Sequence, residues 1–145
     1  MANKEELSAS DILYYGIELD KESQGILKEK FGAHKDWKIF CHHMTCVFTG
    51  GRSEADSRIK KWFEMNEGRE IILVVSHYGI TEKCAAVRVM TEAPCRNKVK
   101  HITLGINPEK GGKPADSNFI NEWTLTEPVI LFGKPKIWTK MKMKK

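Results

Sequence analysis

Two stretches of this sequence carry the same phrase at a fixed distance, and that repetition limits the fold more than any other feature. His43-Met44-Thr45 recurs as His101-Ile102-Thr103, 58 positions later, and Ile72-Leu73 recurs as Ile130-Leu131 at the same interval. Between these markers the first half has Gly50-Gly51-Arg52-Ser53-Glu54-Ala55-Asp56-Ser57, and the second has Gly111-Gly112-Lys113-Pro114-Ala115-Asp116-Ser117. Both read as a glycine pair, a basic residue, then Ala-Asp-Ser. Three echoes in the same order point to a duplicated unit. Two copies about a pseudo-two-fold axis would set equivalent strands side by side and turn both His-x-Thr phrases toward one cleft.

The local patterns fit that plan. Tyr14 to Leu19 reads as a first strand, and Asp20 sits where a helix N-cap would, ahead of Ile26, Leu27 and Phe31 at helical spacing, with Gly32 as the stop. Trp37 to Thr49 reads as one extended segment carrying the first phrase. Asp56 to Met65 reads as a helix with Ile59, Trp62 and Phe63 on one face, and Glu70 to Ser76 as an apolar strand. The second half repeats the order in shorter form: a strand from Cys84 to Met90, the second phrase within Val99 to Ile106, a short helix from Asp116 to Trp123, and a strand from Val129 to Phe132.

At 145 residues the chain is long enough for one domain with a real core, so a single domain spanning residues 1–145 is expected. No apolar run approaches the roughly 20 residues of a membrane span, and the start, Met-Ala-Asn-Lys-Glu-Glu, lacks the layout of a signal peptide. A cytoplasmic or nuclear protein with no membrane partner is therefore expected. Cys41, Cys46, Cys84 and Cys95 form no CxxC pair and read as free, mostly buried thiols. The net charge of +5 is uneven, with six lysines in a basic tail over residues 134–145. Such a tail suits a polyanion, or is a solvated, frayed chain end.

In a strand, residues i and i+2 share a face, so His43 lies beside Thr45 and His101 beside Thr103, while Met44 and Ile102 turn inward. An imidazole and a hydroxyl from each strand, converging on one anion, make a phosphate cleft. Imidazole titrates near 6.5, so one ring can take a proton from water while the other gives one to a leaving oxygen. Each such transfer is typically worth about 10² to 10⁴ in rate. Threonine hydroxyls can donate to the non-bridging oxygens. The scheme calls for no metal and no cofactor.

With these phrases in their strands, especially Val99-Lys100-His101-Ile102-Thr103-Leu104-Gly105 and the opening Tyr15-Gly16-Ile17-Glu18-Leu19-Asp20, the chain resembles the two-histidine (2H) phosphoesterase superfamily. Within it, the similarity is greatest to the cyclic phosphodiesterase domain of plant and fungal tRNA ligases and related RNA-repair proteins, and it extends from Tyr14 to Lys136. The resemblance implies a two-lobed α+β fold of duplicated antiparallel sheets around a central cleft, with helices outside. It makes His43 and His101 the acid–base pair and Thr45 and Thr103 the phosphate ligands. The implied reaction is metal-independent opening of a 2′,3′-cyclic phosphate at an RNA end, leaving a 2′-phosphate. Either histidine fits either role. The expected partners are RNA ends or a nucleotide cyclic phosphate, with an RNA ligase or kinase for a full repair reaction; a monomer is expected. Other readings are cleavage of 2′–5′ oligoadenylate or ADP-ribose cyclic phosphate, RNA 3′-end trimming, and a non-catalytic RNA-binding module.

Several residues have two readings. Arg52 and Lys113 sit either at the cleft mouth, drawing in a phosphate backbone, or in plain strand-to-helix turns. Tyr78 is the aromatic best suited to stack on a base, while Trp62 and Trp123 read as core. Cys41, His42, His43 and Cys46 have zinc-ligand chemistry, but alternation sends Cys41 and His43 to one face and His42 and Cys46 to the other. His77, at a strand end, reads either as a surface turn or as a residue lining the cleft, and His34 as a loop residue.

Overall fold

Asp20 closes β1 (Ile12–Leu19) and opens α1 (Lys21–Lys30): its backbone is extended and its Oδ1 accepts the Ser23 amide at 2.7 Å, capping the helix as the sequence predicts. The computed structural model describes residues 12–31, 36–48, 57–96 and 99–139. After α1 come β2 (Lys38–Ile39), β3 (His43–Phe48), α2 (Ser57–Asn66), β4 (Ile71–Ile80), β5 (Cys84–Thr91) and β6 (His101–Ile106). Two short 3₁₀ helices, Pro108–Lys110 and Pro114–Phe119, lead to β7 (Thr124–Thr139). The fold is α+β, and every ladder is antiparallel.

Where two sheets were expected, hydrogen bonding runs through one seven-stranded sheet in the order β2-β6-β5-β4-β7-β1-β3, because β4 and β7 pair with each other. Match β1 with β5, β3 with β6 and β4 with β7, and the order from β6 to β3 reads the same from both ends. Leu73 lies opposite Leu131 in the β4–β7 ladder, and these are two residues that the 58-residue interval relates.

Four sequence readings need correction. Trp37 to Thr49 is not one extended segment: β2 ends at Ile39 and β3 starts at His43, with Cys41 between them at φ 61°. The helix expected over Asp116 to Trp123 is a six-residue 3₁₀ helix starting at Pro114; Ile120 is extended, and Trp123 packs with the small cluster of Cys84, Ala86, Ile106 and Ile120. β4 runs on to Ile80, so His77 and Tyr78 lie inside a strand. Val129 to Phe132 is the middle of a 16-residue β7. Pro128 and Pro135 fit inside this strand because each sits where β7 has a free side. Pro128 faces the irregularity between Val75 and His77, and Pro135 lies beyond Gly133, where the β4 ladder ends and the β1 ladder takes over.

The core lies on the face carrying Ile71, Leu73 and Val75 of β4, with Tyr15, Ile17, Leu27, Met44, Phe63, Val87, Ile102, Leu104 and Leu131. Ser23 ties α1 to the sheet, its Oγ accepting the Phe132 amide at 2.8 Å. Alternation leaves Ile72, Met90, Ile130 and Phe132 exposed on the other face.

Candidate active site

β3 and β6 are far apart in the sheet order and yet touch, because the chain between β2 and β3 joins the two ends of the sheet. The amides of Phe40 and Cys41 donate to the carbonyls of Leu104 (2.8 Å) and Thr103 (3.1 Å) on β6, and the next carbonyl, of His42, accepts the Leu19 amide from the end of β1 at 3.0 Å. The left-handed turn at Cys41 thus sits on the line of closure. A cavity of about 600 Å³ opens there, lined by His42, His43, Thr45, Cys46 and Val47, by His101 and Thr103, and by Tyr14, Phe40, Arg96, Pro114, Ala115 and Asn118.

The two His-x-Thr strands are built alike. Thr45 lies opposite Gly16 but Val47 opposite Tyr15, so Cys46 is an extra residue; Thr103 lies opposite Ala86 but Gly105 opposite Ala85, so Leu104 is extra. A bulge directly after each threonine interrupts the alternation and bends the strand. Burial follows suit: His43 and Thr45 are half-buried around a buried Met44, with Cys46 and Val47 both buried, and His101 to Gly105 repeat the pattern. The core therefore holds each strand by Met44 or Ile102, and the polar pair is left to the cleft.

Hydrogen bonds decide which atoms can act. His101 Nδ1 lies 3.0 Å from the Val99 carbonyl, which only accepts, so Nδ1 carries a proton and Nε2 is the nitrogen left for substrate. His43 Nδ1 lies 2.6 Å from His42 Nδ1, the rings stacked at 4.6 Å, so Nε2 is again the free nitrogen. Thr103 Oγ1 is 2.9 Å from Ser117 Oγ, which in turn donates to Cys84 Sγ at 3.8 Å. Burial pushes the His43 ring down to about 4; neighbouring His42 adds to this and Glu18 opposes it. Burial and the charge of Lys28 lower His42, against Glu18, and burial lowers His101, against the bond to Val99. All three rings favour the neutral form.

The structure brings His43, Thr45, His101 and Thr103 to one cavity. His42 corrects the reading that sent it to the opposite face: it precedes β3, beyond the left-handed Cys41, so strand alternation does not reach it. Lys113 is exposed, next to the lining residues Pro114 and Ala115. Tyr78 stacks on Phe31 at 5.7 Å and does not line this cavity. Lys134 and Lys136 belong to β7, with Lys136 3.3 Å from Glu18. Arg52, His34 and residues 140–145 lie outside the described residues. Among the described residues, no three His, Cys, Asp or Glu side chains are gathered as metal ligands would be.

Sequence reasoning missed Arg96, Tyr14, Asn118 and Ser117. Arg96 follows Pro94-Cys95 in a stretch without periodicity, and its amide bonds the Cys46 carbonyl at 3.0 Å. Ser117 was in view as the end of the Ala-Asp-Ser echo, read there only as a sign of duplication.

No family model matches the chain, and no curated protein matches it significantly. Its fold is similar to a solved structure described as a fungal RNA kinase, with a TM-score of 0.54 and 17% identity over 95% of this chain and 46% of the other. The chain thus spans about half the length of that structure. At this identity the likeness shows a shared α+β fold.

Proposed function

We propose that this protein is a 2H phosphoesterase that opens 2′,3′-cyclic phosphates at RNA ends by paired histidine acid–base catalysis, without a metal, leaving a 2′-phosphate. The observation that carries the reading is the convergence of His43, Thr45, His101 and Thr103 on one cavity from strands with the same bulge. Each ring has Nδ1 occupied and Nε2 free, as a site needs when one imidazole takes a proton and another supplies one. Thr45 and Thr103 would donate to the non-bridging oxygens, and Arg96 would add charge-assisted bonds to the phosphate. RNA as the substrate class draws support from the fold shared with the fungal RNA kinase. The symmetric bulges and strand order also support descent of the two halves from one duplicated unit.

The test is hydrolysis of an oligonucleotide ending in a 2′,3′-cyclic phosphate, in EDTA, with the phosphate position in the product identified. The expected result is a 2′-phosphate, with turnover lowered at least a hundredfold by His43→Ala or His101→Ala. No hydrolysis, or an undiminished rate in both variants, sinks the two-histidine mechanism, and activity lost with EDTA sinks the metal-free one.

A further inference from the structure

His42 is a third histidine in the cleft. Cys41, in the left-handed region where non-glycine residues are uncommon, turns the chain so that the His42 ring stacks on His43 with the two Nδ1 atoms 2.6 Å apart. One nitrogen in such a contact carries a proton and the other must offer a lone pair. Among the described residues His101 has no equivalent neighbour; its Nδ1 partner is a backbone carbonyl, which can only accept. The two halves match in strand order, bulge and burial, and differ here.

We propose that His42 is a positioning residue for His43: it occupies the Nδ1 edge of that ring, fixes the tautomer with a lone pair on Nε2, and so makes His43 the general base and His101 the general acid. The step it assists rests on the phosphodiesterase reading. Water attacks phosphorus, and the new P–O bond forms as His43 Nε2 takes the water proton. The positive charge on His43 is shared through Nδ1–H with the lone pair of His42 Nδ1. The bond from phosphorus to the ribose oxygen breaks, and that oxygen takes the proton from His101 Nε2. His43 ends protonated and His101 neutral, and exchange with solvent resets them.

The surroundings of the pair suit a resting neutral state. Glu18 on β1 lies opposite His43 and is itself held by Lys136 of β7 at 3.3 Å. Lys28 of α1 acts on His42 as a positive charge. The Tyr14 ring lies 5.6 Å from His43, and His101 and Arg96 line the same cavity. Burial, with the charge of Lys28 on His42 and of His42 on His43, keeps both rings of the pair below the ordinary histidine value, against the opposing pull of Glu18. The bond to the Val99 carbonyl suits an imidazolium and opposes the lowering of His101 by burial, and a phosphodiester anion bound beside the ring raises it toward the charged form.

The experiment uses the full chain labelled with ¹⁵N-histidine, as wild type, His42→Ala and His42→Asn. Asparagine sets an amide atom at the δ position that Nδ1 now fills. Ring spectra are recorded from pH 4 to 8 without substrate, followed by pH–rate profiles on the cyclic-phosphate oligonucleotide. Wild type should show His43 as a single tautomer with its proton on Nδ1. In His42→Ala the tautomers mix, the His43 midpoint and the acidic limb of the rate profile shift together, and kcat falls about tenfold or more with KM little changed. His42→Asn restores the single tautomer and most of kcat. If the His43 ring has the same tautomer and midpoint in wild type and His42→Ala, the pairing is overturned. Turnover unchanged in rate and pH profile in His42→Ala overturns the positioning role and leaves the phosphodiesterase reading standing. Paired rings in a wild type that hydrolyses nothing support the pairing but remove that reading, and the catalytic step with it.

Discussion

The His43 ring titrates in the folded protein near 4, below the 6.5 of an exposed imidazole, so its protonation is coupled to folding. Between these two values the unfolded chain binds the proton more readily than the folded one. The stabilisation is complete above about pH 6.5 and is lost as pH falls toward 4, and for this one group it amounts to about 3 kcal/mol. His42 and His101 are shifted in the same direction and add to the slope. Urea unfolding at a series of pH values should show a stability difference between wild type and His43→Asn that changes steeply over this window; a constant difference would contradict the assignment. Thr103 and Arg96 offer separate tests. Ser117→Ala removes the partner of the Thr103 hydroxyl at 2.9 Å and should cost about 0.5–1.5 kcal/mol in urea, with a smaller loss of turnover than Thr103→Val. Arg96→Ala should weaken binding of a nucleoside 2′-phosphate about tenfold, measured by calorimetry, and make that binding less sensitive to salt.

At the scale of the strands, the paired bulges give the cleft its form, and the residues opposite the two threonines differ. Thr103 faces Ala86, whereas Thr45 faces Gly16, where a Cβ would run into the Met44 carbonyl and the Trp138 ring. Gly16→Ala should therefore destabilise by about 1–3 kcal/mol and slow the reaction by moving His43 and Thr45, while Ala86→Gly leaves the cleft geometry in place. Thermal unfolding and turnover of the two variants check this. Much of the site was legible because a period of two fixes faces without tertiary information: His43 with Thr45, His101 with Thr103, and Met44 and Ile102 inward. His42 was misread because one left-handed residue, Cys41, ends the alternation, and nothing in the local composition marks a cysteine for that conformation. The bulges were hidden for the same reason, since an extra residue shows only against a partner strand. The full length of β7 was hidden because a proline's place in a strand depends on which edges are paired, as at Pro128 and Pro135. Arg96 reaches the cavity through loop geometry that no periodicity encodes.

For the whole molecule, the decisive fact is that the two His-x-Thr strands are not hydrogen-bonded neighbours, so the cleft depends on how the two ends of the sheet are closed on each other. That closure runs through Phe40, Cys41 and His42, whose backbone reaches Leu104 and Thr103 on β6 and Leu19 at the end of β1. The centre of the sheet is elsewhere, in the β4–β7 ladder over the buried core. The two should be separable. A left-handed backbone costs a residue with a Cβ roughly 1–2 kcal/mol, and a branched Cβ makes it worse. Cys41→Val should therefore loosen the closure without unfolding the centre, and Cys41→Gly should keep it. Hydrogen exchange followed by NMR is the check: in Cys41→Val the amides of Leu19, Phe40 and position 41 should exchange about tenfold faster or more, while those of Leu73 and Leu131 stay protected. Turnover should fall in step with the closure amides. Uniform acceleration across the sheet would mean that closure and core open as one unit, and that the distance between His43 and His101 is set by global stability and not by the turn at Cys41.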